Sequence, residues 1–157
     1  MAPFQINLGY SGCLIAQKNN MTTVQIETTI QIQVEKIWEY WTQPSHITQW
    51  NQADASWHCP KAENDLRVGG KFCSTMAAKD GSASFDFTGK HLEVDQFKAI
   101  KSILDDGRKM EVVFEKIDDT TTRVLESFDT EEENSVELQR SGWQSILDNF
   151  KKYSENI

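Results

Sequence analysis

Between residues 37 and 50 the chain runs IWEYWTQPSHITQW. Ile37 and Trp41 stand four apart, the spacing of one helix face, and Pro44 ends that helix. Ser45 can cap a second short turn that carries Ile47 and Trp50. Just upstream, Val24, Ile26, Ile30, Ile32 and Val34 alternate with polar residues, the period of a strand with one buried face. The domain therefore opens with a strand followed by two short helices.

Beyond a polar stretch from Ala62 to Asp65, the pattern is β-rich to about Phe128. Hairpin signals stand at Lys79-Asp80-Gly81, Asp105-Asp106-Gly107 and Asp118-Asp119-Thr120. The segments between them, FCSTMAA, SFDFTGKHLEV, FKAIKSIL, MEVVFEKI and TRVLESF, are short and β-prone, so an antiparallel sheet is expected. Phe85 and Phe87 have opposite parity to Leu92 and Val94, which predicts a bulge or bend at Gly89. From Asn134, paired with Glu137 as a cap, a long helix carries Val136, Trp143, Leu147 and Phe150 in one stripe, flanked by Ile146 and Tyr153. One helix cannot cover both faces of such a sheet. The expected fold is α+β: a strongly curved antiparallel sheet of six or seven strands around the C-terminal helix, with the two early helices plugging one end.

A length of 157 residues suits one domain. All 24 acidic residues and all but one of the 16 basic ones follow residue 20, and the net charge is −8. Such a surface repels phosphate backbones, so no nucleic-acid partner is expected. No run approaches a membrane span, so no membrane insertion is expected either. Cys13, Cys59 and Cys73, odd in number and without CxxC spacing, suit a reducing cytoplasm, with a Cys59–Cys73 bridge left open. Residues 1–20 carry no signal-peptide pattern and read as a poorly ordered extension ahead of a single domain at 21–157.

Gly69-Gly70-Lys71, within DLRVGGKF at 65–72, invites a phosphate-loop reading. Phe72 stands where that loop needs Ser or Thr, and a strand follows where it needs a helix. A turn with one glycine at positive φ is expected instead, leading Lys71 and Phe72 into the sheet. His46, His58 and His91 form no HxxxH or HExxH pair, no GxSxG elbow occurs, and no metal, cofactor or catalytic set is assigned. Asp86 is expected to face solvent by alternation, although an inward turn would make it a candidate acid. The aromatic load is more informative: large rings suit an apolar ligand pocket as well as a core. The candidate ligand-binding residues are Trp41, Trp50, Phe72, Phe85, Phe87, Phe114, Phe128 and Trp143, together with Leu147.

Four motifs in order resemble the activator-of-heat-shock-protein-90-ATPase homologue family of the START-like (SRPBCC, or birch-pollen-allergen-like) superfamily. They are Ile37-Trp38 with Thr42-Gln43-Pro44 and Trp50; Asp65-x-Arg67-x-Gly69-Gly70-x-Phe72; Gly89 with Leu92-Glu93-Val94-Asp95; and Ser141-Gly142-Trp143 with Leu147. The resemblance spans residues 24–154, with Gln96 replacing a usual proline and Ser141 a usual glutamate. It implies a helix-grip fold. The resemblance implies that eukaryotic cochaperone members use an additional N-terminal domain, which a chain of this length is not expected to accommodate. Superfamily relatives bind lipids, polyketides or hormones, and some are cyclases or hydrolases, so fold alone does not assign function. Three readings follow. The leading one is a small apolar ligand held beneath Trp143; the others are a cyclase- or hydrolase-type enzyme using an inward polar cavity residue such as Asp86 or His91, and a chaperone-accessory module meeting a basic partner. Homodimerisation is allowed.

Overall fold

The computed structural model describes residues 22–157 and, ahead of them, only the strands β1 (Phe4–Leu8) and β2 (Leu14–Lys18), which pair antiparallel with each other. The rest of the expected 1–20 extension lies outside the described residues. The domain runs β3 (Thr23–Ile30), α1 (Val34–Thr42), α2 (Pro44–Trp50), β4 (Trp57–Asn64), β5 (Lys71–Ala78), β6 (Ser84–Asp95), β7 (Ala99–Leu104), β8 (Lys109–Asp118), β9 (Thr121–Asp129) and α3 (Val136–Ser154). One antiparallel sheet takes the order β3-β9-β8-β7-β6-β5-β4 and curls into a half-barrel around α3. This is the expected α+β helix-grip arrangement, with seven strands.

Its edges hold the first and last elements together. β3 pairs with β9 from Thr23↔Asp129 to Ile30↔Thr122, so the start of the domain is clamped to its last strand. Val24, Ile30, Val124, Phe128, Leu147 and Phe150, at 1% exposure or less, form the packed core where β3, β9 and α3 meet.

The strand over 57–64 has no counterpart in the sequence reading, because its residues are mostly polar and include Pro60. β4 lies at the outer edge of the sheet, where a missing N–H need not break a ladder. Its register with β5 shifts between His58 and Lys61, around that proline. Cys59 and Cys73 are free thiols.

Three local expectations move by a few residues. Gln43 precedes α2 and Pro44 takes its first position, so Ser45 lies within the helix rather than capping it. Proline's preset φ suits that position. The cap of α3 is Ser135, whose hydroxyl accepts from the Leu138 N–H at 3.1 Å, while the Asn134 side chain donates to Glu131 at 2.8 Å. The slip in β6 falls between His91 and Glu93, not at Gly89, and leaves Leu92 39% exposed. Gly89 answers to a different constraint: a Cβ there would stand 2.8 Å from the Phe72 ring and 2.4 Å from the Ile103 carbonyl oxygen.

In the DLRVGGKF turn, Gly69 adopts φ +80° and Lys71 begins β5, as expected. The Gly69 N–H donates to the His91 carbonyl at 2.7 Å, and the His91 N–H donates to that of Gly70 at 2.9 Å. The turn thus fixes the backbone of one inward-facing residue of β6. A Cβ on Gly70 would lie 2.0 Å from the Asp65 carbonyl oxygen, whereas one on Gly142 in α3 meets nothing within 4 Å. Gly70→Ala is therefore expected to lower unfolding free energy by about 1–3 kcal/mol. Gly142→Ala is expected to raise it by about 0.5–1 kcal/mol, and urea denaturation of the two variants checks both signs.

Candidate functional site

α3 packs along β3, near one edge of the sheet, so the concave face of β5–β8 is not filled by helix side chains alone. A cavity of about 370 Å³ remains between them. Its wall is mainly apolar: Trp41, Ile47 and Trp50 come from the end-plugging helices, Trp143 and Ile146 from α3. Phe72, Met76, Phe87, Ile100, Met110 and Val112 come from the sheet. Strand alternation sends every second residue of β5–β9 inward, which explains why the sheet contributes so many.

Of the nine expected residues, the structure brings Trp41, Trp50, Phe72, Phe85, Phe87 and Trp143 to the cavity. Phe85 is 53% exposed, packs against Trp57 and belongs to the rim. Phe114, Phe128 and Leu147 are buried behind the lining. They support it: Phe128 stacks on Trp143 with ring centres 4.1 Å apart and planes within 7°, and Phe114 meets Trp41 edge-on at 6.0 Å. Trp41 and Trp50 stack at 4.9 Å, and the Trp50 indole N–H donates to the Tyr40 carbonyl at 2.9 Å.

Polar residues also reach the lining, and two of them, His91 and Glu126, bear most on its chemistry. The first is His91, which the sequence reading named as a possible inward group. Asn64 donates its amide to the Thr42 carbonyl at 2.8 Å, which turns its Oδ1 toward His91 Nε2 at 2.7 Å. Nε2 must then carry a proton, and Nδ1 accepts from the Ser102 hydroxyl at 3.0 Å. Phe72 stacks over the ring at 5.1 Å. Burial lowers the His91 pKa and outweighs the opposing pull of Asp65, so the imidazole is neutral with both nitrogens engaged. Asp86 faces solvent and accepts from the Thr75 hydroxyl at 2.8 Å, as alternation predicts.

The second feature is Glu126 of β9, which the sequence reading passed over. It is only 5% exposed and lines the cavity. Among the described residues it has no hydrogen bond or ion pair, and burial alone pushes its pKa from 4.5 to about 8. The available signal was alternation itself: Thr122, Val124, Glu126 and Phe128 are all inward, and a glutamate on the parity of Val124 and Phe128 is a buried glutamate. Nearer the mouth, Arg108 pairs with Asp106 at 2.8 Å. Burial pushes the Glu131 carboxyl up, but bonds from Asn134 and the Glu133 N–H outweigh it and leave it below the usual range. Among the described residues no three His, Cys, Asp or Glu side chains gather as a metal site, and no helix is long and apolar enough to cross a membrane.

A family model described as "Activator of Hsp90 ATPase homolog 1-like protein" matches residues 31–155. An AHSA1-like protein from Aeromonas hydrophila, solved in solution, is 43% identical; the match covers 85% of this chain and 92% of that one, with a TM-score of 0.79. A protein from Cytophaga hutchinsonii is 51% identical over the same shares, with a TM-score of 0.74. A Chromobacterium violaceum protein at 18% identity and TM-score 0.76, covering 87% of this chain and 99% of its own, shares the fold. No curated protein matches the chain.

The isolated carboxyl has a measurable consequence. Its folded pKa exceeds the unfolded one, so the folded state holds the proton more tightly. Stability from this group is full below about pH 4.5 and is lost as pH rises toward 8, by at most about 1.4 kcal/mol per unit. Glu126→Gln is expected to remove that loss. Its stability advantage over the wild type should grow by on the order of 3 kcal/mol between pH 5.5 and 8, read from paired urea titrations.

Proposed function

The chain belongs to the Activator of Hsp90 ATPase homolog 1-like family, and on that premise we propose that it binds a small hydrophobic or aromatic molecule between α3 and the sheet. The observation that carries this reading is the cavity itself. At about 370 Å³ it is many times the space that a single water needs. Water against rings such as Trp143, Phe87 and Trp41 finds few partners, and an apolar guest would release it. The volume falls within the range of small-molecule sites.

The enzyme reading keeps one inward group with a perturbed pKa, Glu126, but loses the two residues named for it. Asp86 is outside, and His91 has both nitrogens committed to Asn64 and Ser102. A histidine so engaged holds the wall together and would have to break a bond before moving a substrate proton.

Ligand binding to the folded state raises its melting temperature by mass action. A ligand at a hundred times its Kd adds about 2.7 kcal/mol, which corresponds to a shift of several degrees. A thermal-shift screen with small apolar and aromatic compounds is expected to yield such shifts. Met110→Trp, which places a larger ring in the cavity wall, is expected to abolish them. Shifts that survive Met110→Trp unchanged would locate binding elsewhere and refute the proposal.

A further inference from the structure

We propose that Glu126 is the polar anchor of the cavity's ligand, donating its carboxyl proton to a carbonyl-type oxygen on an otherwise apolar molecule. The inference rests on the cavity-binding reading and narrows the ligand class.

The ionisable side chains of the cavity wall differ sharply in their partners. His91 on β6 is bonded at both nitrogens, Arg108 between β7 and β8 is paired with Asp106, and Glu131 before α3 collects donors from Asn134 and Glu133. Gln139 on α3 is also committed, to the Glu131 and Asn134 backbone. Glu126 alone of the wall's ionisable groups has no protein partner among the described residues, although it is 5% exposed. Its carboxyl oxygens are not sealed in the core but open to the cavity, so whatever occupies that space is what completes their hydrogen bonding. A ligand with a matching polar atom can take that place.

Hydrogen-bond counting then selects the guest. A carboxyl that burial keeps protonated at neutral pH offers one O–H donor. A ketone, ester or similar carbonyl brings the matching acceptor on a body that can be wholly apolar. An alkylammonium brings up to three N–H donors, whereas Val112, paired with Glu126 on β8, and Ile100 beyond it offer no side-chain acceptor and Met110 only a weak thioether. The counter-group that fits is therefore a single neutral acceptor.

The pH dependence is separable from the other charges. His91 is neutral above its lowered pKa and Glu131, held below the usual carboxylate range, is ionised, so of the wall's imidazole and carboxyl groups Glu126 is the one expected to titrate between pH 7 and 9.5. Ionisation removes the donor and sets a carboxylate against the carbonyl oxygen.

The test uses three probes of nearly equal size: 2-acetylnaphthalene, 2-ethylnaphthalene and 1-(2-naphthyl)ethylamine. Each is titrated by calorimetry into the full chain, its Glu126→Gln variant and its Glu126→Leu variant, at pH 7 and 9.5. The ketone is expected to bind the wild type about three- to tenfold more tightly than the hydrocarbon at pH 7, the effect of one buried neutral hydrogen bond, and to lose that advantage at pH 9.5. Glu126→Gln, which keeps an N–H donor but does not titrate, should prefer the ketone at both pH values. Glu126→Leu should prefer it at neither. Equal binding of ketone and hydrocarbon to the wild type at pH 7 overturns the anchor and leaves the cavity reading standing. Tightest binding of the amine also overturns it, in favour of a cationic guest. If no probe binds, the cavity reading fails and the anchor with it.

Discussion

A single helix lying along one edge of a wide, curled sheet has a fixed reach. α3 packs along β3, which is clamped by β9, and the concave face of β5–β8 curves beyond what aliphatic side chains on the helix can fill. The gap is spanned by rings instead. Trp143 reaches from α3 to stack on Phe128 and meet Phe87 edge-on, and Phe87 in turn contacts Phe72. At the plugged end, Trp41 and Trp50 meet each other and Phe150. Rings cover area at low entropic cost and pack at defined angles, but a ring of them encloses space more readily than it fills it. The cavity is the remainder of that geometry.

The polar groups around that space are treated in two different ways. His91 is held from every side: its backbone by the Gly69-Gly70 turn, its nitrogens by Asn64 and Ser102, its face by Phe72. Gly89 keeps the neighbouring position on β6 clear for Phe72 by having no Cβ. Glu126 receives nothing comparable, and its carboxyl rests at the protein's expense in stability as the pH rises. The first of these buried titratable groups is thus built into the wall, and the second faces the open space of the cavity.

Much of this architecture is legible from local patterns. Period-two alternation marks β3 and β9, the break at Pro44 separates α1 from α2, and the stripe of Trp143, Leu147 and Phe150 marks the buried face of α3. Each is a property of a few neighbouring residues. β4 escapes because an edge strand needs no alternating apolar face and tolerates Pro60. The β6 slip is displaced from Gly89 to Leu92 because parity shows that a slip exists within the strand but not where the partner strand will absorb it.

For this protein, the sequence by itself determined the order of elements from β3 onward apart from β4, the helix-grip class and the inventory of aromatic residues, since these depend on spacing along the chain and on turn chemistry. Only the tertiary structure decided which rings face the cavity and which stand behind them. Trp143 and Phe128 sit in one stack, yet one lines the space and the other is core, because the division depends on the curvature of the sheet and the seat of α3. It also decided the standing of Glu126. Alternation places that carboxyl on the inner face, but whether an inward carboxyl is paired, hydrated or alone depends on what the opposite wall presents, and that wall is assembled from residues far away in sequence.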